Sequence, residues 1–173
     1  MLFTAYQILT VLLVAVAFSM ALAHVLELPG KMRLGENAYW TAQRIYYPGF
    51  TIGGGVGEAG GILATVILLA LTPPGSLAFW LVLVALVGLI AMQVVFWALT
   101  QPVNKYWMQG QKLNATGKKF FASGQALKPS NQPAGRPLWI ALRNRWELSH
   151  AIRALCALVS FLAIVTEIAT HPR

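Results

Sequence analysis

The sequence predicts an all-α integral membrane protein, folded as one bundle of four spanning helices. Of its 173 residues, 57% are hydrophobic, and the mean hydropathy is +0.63, which is too apolar for an ordinary soluble domain. A bilayer core about 30 Å thick needs roughly 20 apolar residues per helix. Four stretches have this length, and their uninterrupted apolar runs lack the alternation of a membrane β-barrel.

The four helices are predicted, in chain order, at about residues 2–25, 51–71, 77–99 and 147–169. Residues 21–23, Ala-Leu-Ala, resemble the cleavage site of a signal peptide. No Lys or Arg precedes the first apolar run and the run is long enough to span, so we expect a retained helix. The Thr-Pro-Pro-Gly turn at residues 72–75 separates the second helix from the third.

The net charge of +8 is concentrated in two connections, at residues 26–50 and 100–146. The positive-inside rule places both in the cytoplasm and both chain termini outside, in the inner membrane if the cell is bacterial. Basic residues at this position contact anionic lipid, so no nucleic-acid partner is expected. The basic residues concerned are Lys31, Arg33, Arg44, Lys105, Lys112, Lys118, Lys119, Lys128, Arg136, Arg143 and Arg145.

Both connections carry aromatic residues suited to the membrane–water interface. The first is expected to lie on the membrane, either as an anchor or as an entry lip for an apolar ligand. The second is long and basic, has a Pro-rich loop at residues 129–137, and ends in a helix that Pro137 starts and that continues into the fourth span. The aromatic residues are Tyr39, Trp40, Tyr46, Tyr47 and Phe50 in the first connection and Trp107, Phe120 and Phe121 in the second.

Glycines recur on one face of the second helix, at Gly53, Gly57 and Gly61. Small residues let helix backbones approach closely, which indicates tight packing within the bundle. The same face could instead dock a second copy of the chain or a larger membrane complex. The missing side chains could also leave room for a ligand beside Glu58.

Ionisable residues gather at the predicted cytoplasmic ends of three helices. His24 and Glu27 lie where the first helix ends, and Glu147 and His150 lie where the fourth begins. Each pair has i, i+3 spacing and therefore shares one helix face. Glu58 lies about two turns inside the second helix, where a carboxylate needs a partner.

These side chains resemble the ligands of dinuclear carboxylate four-helix bundles, although one Glu/His pair is reversed and the third helix offers Asn104 instead of a carboxylate. We predict one or two transition-metal ions, with iron preferred and copper, manganese or zinc also compatible. A structural polar network and haem held by two histidines are the alternatives. The predicted metal ligands are His24, Glu27, Glu58, Glu147 and His150.

Three short segments, at residues 23–29 (AHVLELP), 100–104 (TQPVN) and 145–153 (RWELSHAIR), are similar to the small four-helix membrane family that includes the anthrone oxygenases. The resemblance covers most of the chain. It implies a four-helix bundle and, for characterised members, oxygenation of a reduced polycyclic aromatic to a quinone, but it carries over neither a substrate nor a metal. The matched positions are His24, Pro102, Asn104, Trp146, His150 and Arg153.

The leading hypothesis is a membrane-embedded, metal-dependent oxidoreductase or oxygenase that acts on a lipophilic aromatic or quinol-like substrate. Asn104 and Arg153 are predicted to orient ligands or stabilise developing negative charge, and Trp146 to wall the pocket. Hydrolysis is disfavoured because a chain without Asp has no Ser-His-Asp triad.

Two further hypotheses stay open at this stage. The chain could be a non-enzymatic accessory subunit that docks through its glycine-rich helix and whose polar cluster is structural. It could also conduct protons or a small solute along Glu58, His150 and the deeper Gln93, although few ionisable groups lie on the outer side.

Overall fold

The structure is a computed structural model, which describes residues 1–108, 112–113, 115–122 and 138–170. All regular structure in these ranges is helical, as the sequence predicts. The helices, in order, are α1 (Leu2–Lys31), α2 (Glu36–Ile45), α3 (Gly49–Leu71), α4 (Leu77–Val95), α5 (Gln101–Trp107), α6 (Ala115–Ala122) and α7 (Leu138–Thr170), with a π-helical turn (Phe96–Thr100) between α4 and α5.

Four of the helical stretches are long and apolar enough to cross a membrane, which confirms the predicted number. They are Leu2–Lys31, Gly49–Leu71, Leu77–Trp107 and Leu138–Thr170. Large apolar side chains such as Leu12, Leu63, Val87 and Leu155 are exposed on the outside of the bundle. Such a surface fits lipid, because water would not cover so much apolar area at low cost.

Within the bundle, α1 packs along α3 and α7, and α4 packs along α7. The contact between α1 and α3 is close because a Cβ atom at Gly57 would lie 2.7 Å from the Ala17 backbone nitrogen. At Gly61 a Cβ would lie 3.7 Å from Val14. Gly57 and Gly61 therefore pack inside the chain, and docking of a partner through this face stays a prediction.

The charged residues predicted to form a site lie at one end of the bundle, here named the polar end, opposite the turn at residues 72–75. At this end α1 continues past its predicted end, through Pro29, to the buried Lys31. The short helix α2 follows, and its Tyr39 and Gln43 are buried. The sequence missed the extension because Lys31 is held by contacts from distant helices rather than by an apolar run.

The third span is α-helical up to Val95 and then makes the π-turn. Pro102 has no N–H to donate to the carbonyl of Ala98, four residues earlier. Arg145 on α7 donates to this carbonyl instead, with 2.8 Å between Nη2 and the oxygen. Its Nε also lies 3.4 Å from the carbonyl oxygen of Leu99. An arginine on the neighbouring helix thus satisfies the backbone group that the proline leaves open.

The fourth span is the final part of a longer helix that begins at Leu138, as the sequence predicts. The loop at residues 129–137, which includes Arg136, lies outside the described residues. Lys128 and His171 also lie outside them. At the other end of the bundle, Glu167 is buried and accepts a hydrogen bond from Gln7 Nε2 at 2.9 Å. It is therefore remote from the polar end.

Candidate functional site

A cavity of about 630 Å³ lies at the polar end of the bundle, between α1, α3, α4 and α7. Polar side chains from α1, α3, α4 and α7 line it, among them His24, Glu58, Gln93, His150 and Arg153, and Gln43 of α2 and Asn104 of α5 line it as well. The rest of its wall is largely aromatic and aliphatic. The aromatic lining residues are Tyr46, Tyr47, Phe50, Phe96, Trp97, Trp107, Phe120, Phe121 and Trp146.

The cavity reaches the outer surface of the bundle between α3 and α4. Leu63 and Val66 on α3 line it and are also exposed, by 63% and 45% of their surface. Trp97 on the facing helix lines it and is 49% exposed. A lipophilic molecule in the membrane would therefore meet an opening at this seam without passing through water.

Two histidines from different helices meet at the inner wall of the cavity. The rings of His24 on α1 and His150 on α7 have centroids 4.2 Å apart, and both contact the Trp146 ring. His150 Nε2 lies 3.3 Å from Arg153 Nη1, and an arginine can only donate. This assigns the ring proton to Nδ1, which lies 3.0 Å from the carbonyl oxygen of Trp146. His150 thus has both nitrogens in use.

Glu58 is the carboxylate on the cavity side of the histidines. It is buried, forms an ion pair with Arg153 of α7, and accepts a hydrogen bond from Gln93 Nε2 of α4 at 2.5 Å. The Arg153 guanidinium also lies over the Phe96 ring, 5.0 Å from its centroid. One carboxylate therefore joins three spanning helices around the cavity.

A second network fills the end of the bundle behind the histidines. Glu147 accepts from the hydroxyl of Tyr39 at 2.7 Å and pairs with Lys31 Nζ at 3.1 Å. Glu27 accepts from the hydroxyl of Tyr46 at 2.5 Å and lies 3.7 Å from Lys31 Nζ. The buried Lys31 ammonium, which also lies 4.7 Å from the centroid of the Trp146 ring, is shared by both carboxylates.

The two tyrosines of this network hold their protons firmly. Burial raises the pKa of Tyr39, and the charge of Glu147 and its hydrogen bond raise it further. The pKa of Tyr46 is raised by burial, by its hydrogen bond to Glu27 and by the charges of Glu27 and Glu147. Both hydroxyls therefore act as hydrogen-bond donors, not as bases, at neutral pH.

The residues predicted to act beside the metal are brought to the same wall. Asn104 lines the cavity and accepts a hydrogen bond from Trp146 Nε1 at 2.8 Å. Its amide nitrogen lies 3.3 Å from Gln101 Oε1. Asn104 thereby fixes the indole ring of Trp146, which packs on His150 and lines the cavity.

The five predicted metal ligands lie at one end of the bundle but divide between the two networks. Within the described residues, no three His, Cys, Asp or Glu side chains form a group arranged to hold a metal ion. Each carboxylate already accepts from a cation or a hydroxyl, and His150 uses both nitrogens. The side chains as arranged do not fit a two-metal centre, and the metal stays a prediction.

Several cavity donors have no acceptor in the part of the chain that the structure describes. They are Arg153 Nε, Gln43 Nε2 and Trp107 Nε1, all buried and all on residues that line the cavity. His24 Nδ1 also lacks a hydrogen-bond partner there, although Glu27 Oε2 lies 3.7 Å away. Buried donors are normally satisfied, so an acceptor-bearing ligand or water that reached the Arg153, Gln43 and Trp107 nitrogens would be held by them.

Sequence reasoning missed four residues of the site: Lys31, Tyr39, Gln43 and Tyr46. Lys31 follows Glu27 by four residues, which is a helical spacing, but the intervening Pro29 and Gly30 indicated that the helix had ended. The two tyrosines were predicted only as interfacial aromatics. Nothing in their local pattern distinguishes a hydroxyl that reaches a buried carboxylate from one that faces water.

No protein-family model, curated protein or solved structure matches this chain.

Proposed function

We propose that the protein is a membrane-embedded oxidoreductase that binds a lipophilic aromatic, quinol-like molecule at the polar end of its bundle. The observation that carries this proposal is one cavity that reaches both the exposed apolar seam between α3 and α4 and the buried histidine pair. A membrane-soluble molecule can enter by that seam. A reactive group at its polar edge then lies among ionisable side chains.

The size and lining of the cavity suit an aromatic ring system. Small-molecule sites commonly measure about 300–1,000 Å³, have mainly apolar walls and place a few polar groups together. Here Trp146 and Phe50 both lie against His24, with ring centroids 4.9 Å and 4.8 Å from its own. A planar ligand could stack on such walls while its oxygen atoms face Arg153.

The side chains support oxidation that starts with removal of a proton. A phenolic group becomes electron-rich when it loses its proton to a base. The quinol then gives up two electrons and its second proton to become a quinone, and dioxygen takes up two electrons and two protons to become hydrogen peroxide. His24 is the candidate base, because its ring lines the cavity and, unlike His150, forms no hydrogen bond to the described residues. Arg153 would stabilise the resulting oxyanion, and Asn104 would hold the Trp146 wall in place.

We propose that the polar end faces the cytoplasm, because basic residues lie near it. Lys105 lies on α5 at the end of the third span, Lys118 and Lys119 lie on α6, and Arg143 lies on the extension of α7. The positive-inside rule favours this orientation. The cation-poor opposite end would then lie outside.

The test is oxygen consumption by purified protein in lipid nanodiscs, with a tricyclic or bicyclic aromatic hydroquinone as the reductant. The His24→Gln variant should lose about 100-fold or more of the rate, which is the usual contribution of a general base. His171→Gln is the matched control, since it replaces a histidine beyond the end of α7, and it should keep the full rate.

Metal analysis of the same preparations distinguishes the two chemical routes. Stoichiometric metal that is lost in His24→Gln/His150→Gln would restore the metal-dependent route predicted from the sequence. Oxidation by metal-free wild type would support the histidine route. Wild-type protein that neither binds nor oxidises any lipophilic hydroquinone would refute the proposed function.

A further inference from the structure

The cavity has two ends of different chemistry. Glu58, Arg153 and the histidine pair lie at one end, where buried charge and hydrogen-bonding groups meet. At the other end the α3 wall consists of Ile62, Leu63 and Val66, which offer only hydrocarbon. An occupant that fits both ends is polar at one edge and apolar along the rest of its length.

The apolar end of the cavity opens at the outer surface of the bundle. The hydrogen bond from Gln93 to Glu58 crosses the seam between α4 and α3 at the polar end. Beyond this bond, Leu63 and Val66 line the cavity and are exposed at the surface of the bundle. A chain of methylene groups could leave the cavity past these two residues and continue into lipid.

The polar end of the cavity is covered by α6. Phe120 stacks on Phe96 of the π-turn, with ring centroids 6.0 Å apart, and Phe121 packs edge-on against Tyr47, 5.7 Å away. Gln101 Nε2 donates to the carbonyl of Phe120 at 2.6 Å and so ties α6 to α5. Access and exit are therefore easier through the α3–α4 seam than past α6.

Among the described residues, the polar end of the cavity has more hydrogen-bond donors without partners than acceptors without partners. Arg153 Nε, Gln43 Nε2 and Trp107 Nε1 are buried without acceptors in the described residues, whereas the Glu58 oxygens already accept from Arg153 and Gln93. Unused buried donors favour a ligand whose polar atoms are acceptors. The carbonyl and alkoxy oxygens of a quinone ring are of this kind.

We infer that the occupant is a tailed membrane quinone or its quinol, with the ring among these donors and the hydrocarbon tail leaving between α3 and α4 past Leu63 and Val66. This inference rests on the proposed function and narrows its substrate class. A compact aromatic without a tail would satisfy the donors but would leave the apolar end to be filled by lipid.

The test compares two probes that share one ring: a dimethoxy-methyl-benzoquinone with a decyl tail and the same benzoquinone without it. Each is equilibrated with protein-loaded and empty nanodiscs of the same lipid, and the retained quinone is extracted and quantified. Subtracting the empty discs removes simple partitioning. At equal concentration in the lipid phase, the tailed probe should bind about tenfold more tightly.

Two double variants locate the tail. Leu63→Phe/Val66→Phe narrows the proposed exit and should weaken the tailed probe about tenfold while leaving the tailless probe within about twofold. Ile67→Phe/Ile90→Phe adds the same bulk at exposed positions that do not line the cavity, and it should change neither affinity. Gln43→Leu removes an unpartnered buried donor and should weaken both probes.

The possible results distinguish a failure of the tail assignment from a failure of the proposed function. If both probes bind equally, or if the narrowed seam leaves tailed binding unchanged, the tail assignment is wrong and the proposed function still stands. If neither probe nor any other lipophilic aromatic binds to wild-type protein, the proposed function fails first. If Leu63→Phe/Val66→Phe does not fold, Gln43→Leu and the direct comparison of probes still decide the result.

Discussion

Two buried carboxylates flank the histidine pair, and the protein satisfies them in different ways. Glu58 takes both of its partners from spanning helices, Arg153 on α7 and Gln93 on α4. Glu147 takes its partners from the end of α1 and from α2, which lies outside the spans. Glu58 thus joins the helices around the cavity, whereas Glu147 joins α1, α2 and α7 at the end of the bundle.

The largest expected effect comes from breaking the cavity-side pair. Arg153→Met leaves the Glu58 carboxylate buried with only a glutamine, and it should cost about 3–5 kcal/mol of folding stability. The double variant Arg153→Met/Glu58→Gln removes both charges and should recover most of this loss. Unfolding midpoints in detergent provide the measurement, and a double variant that loses the sum of the two single losses would argue against a coupled pair.

A smaller and more local effect is expected at the other carboxylate. Lys31→Met leaves Glu147 and the partly exposed Glu27 without their shared cation and should cost about 3 kcal/mol or less, since water can reach Glu27. Because α2 is held through this network, trypsin should cut at Arg44 faster than in wild type. Arg33→Met, at an exposed neighbouring position, is the control; equal cleavage of both variants would mean that Lys31 does not anchor α2.

The smallest effect, which should decline at high pH, is expected from Tyr39→Phe. The folded-state pKa of Tyr39 is raised by burial and by Glu147, so its contribution is fully present below the unfolded pKa of about 10 and declines above it. The variant should be about 1–2 kcal/mol less stable at pH 8.

Above pH 10 the difference should shrink by up to about 1.4 kcal/mol per pH unit. Thermal midpoints of the two proteins between pH 8 and pH 11 give this difference directly. Tyr106→Phe, whose ring contacts the same Trp107, controls for loss of a tyrosine alone. A stability difference that stays constant up to pH 11 would contradict the raised pKa.

The sequence was sufficient for the four spans because an apolar run of bilayer length has few other stable structures. It was insufficient for their ends at the polar end. There α1 continues to Lys31 because that residue is paired with Glu147, which lies far away in the chain. A contact between distant residues leaves no periodic signal in either local segment.

The same distinction applies to the candidate site. Equal depth in the membrane correctly predicted that His24, Glu58 and His150 would lie at one end, and the i, i+3 spacing gave the face of each pair. Spacing does not say which cation or hydroxyl a carboxylate meets across the bundle. The sequence therefore grouped Glu58 with Glu147, although Arg153 holds one and Tyr39 holds the other.

The bond from Arg145 to the Ala98 carbonyl affects how this chain should be compared with other membrane proteins. Two of the segments that suggested a family are at residues 100–104 and 145–153. The first contains the proline that has no N–H to donate to the Ala98 carbonyl, and the second contains the arginine that donates to this carbonyl instead. Their joint occurrence in another protein would be evidence of shared helix geometry before it is evidence of shared chemistry. A protein with an ordinary residue at the position of Pro102 would not need the arginine, and any likeness in chemistry would have to be judged on the histidines alone.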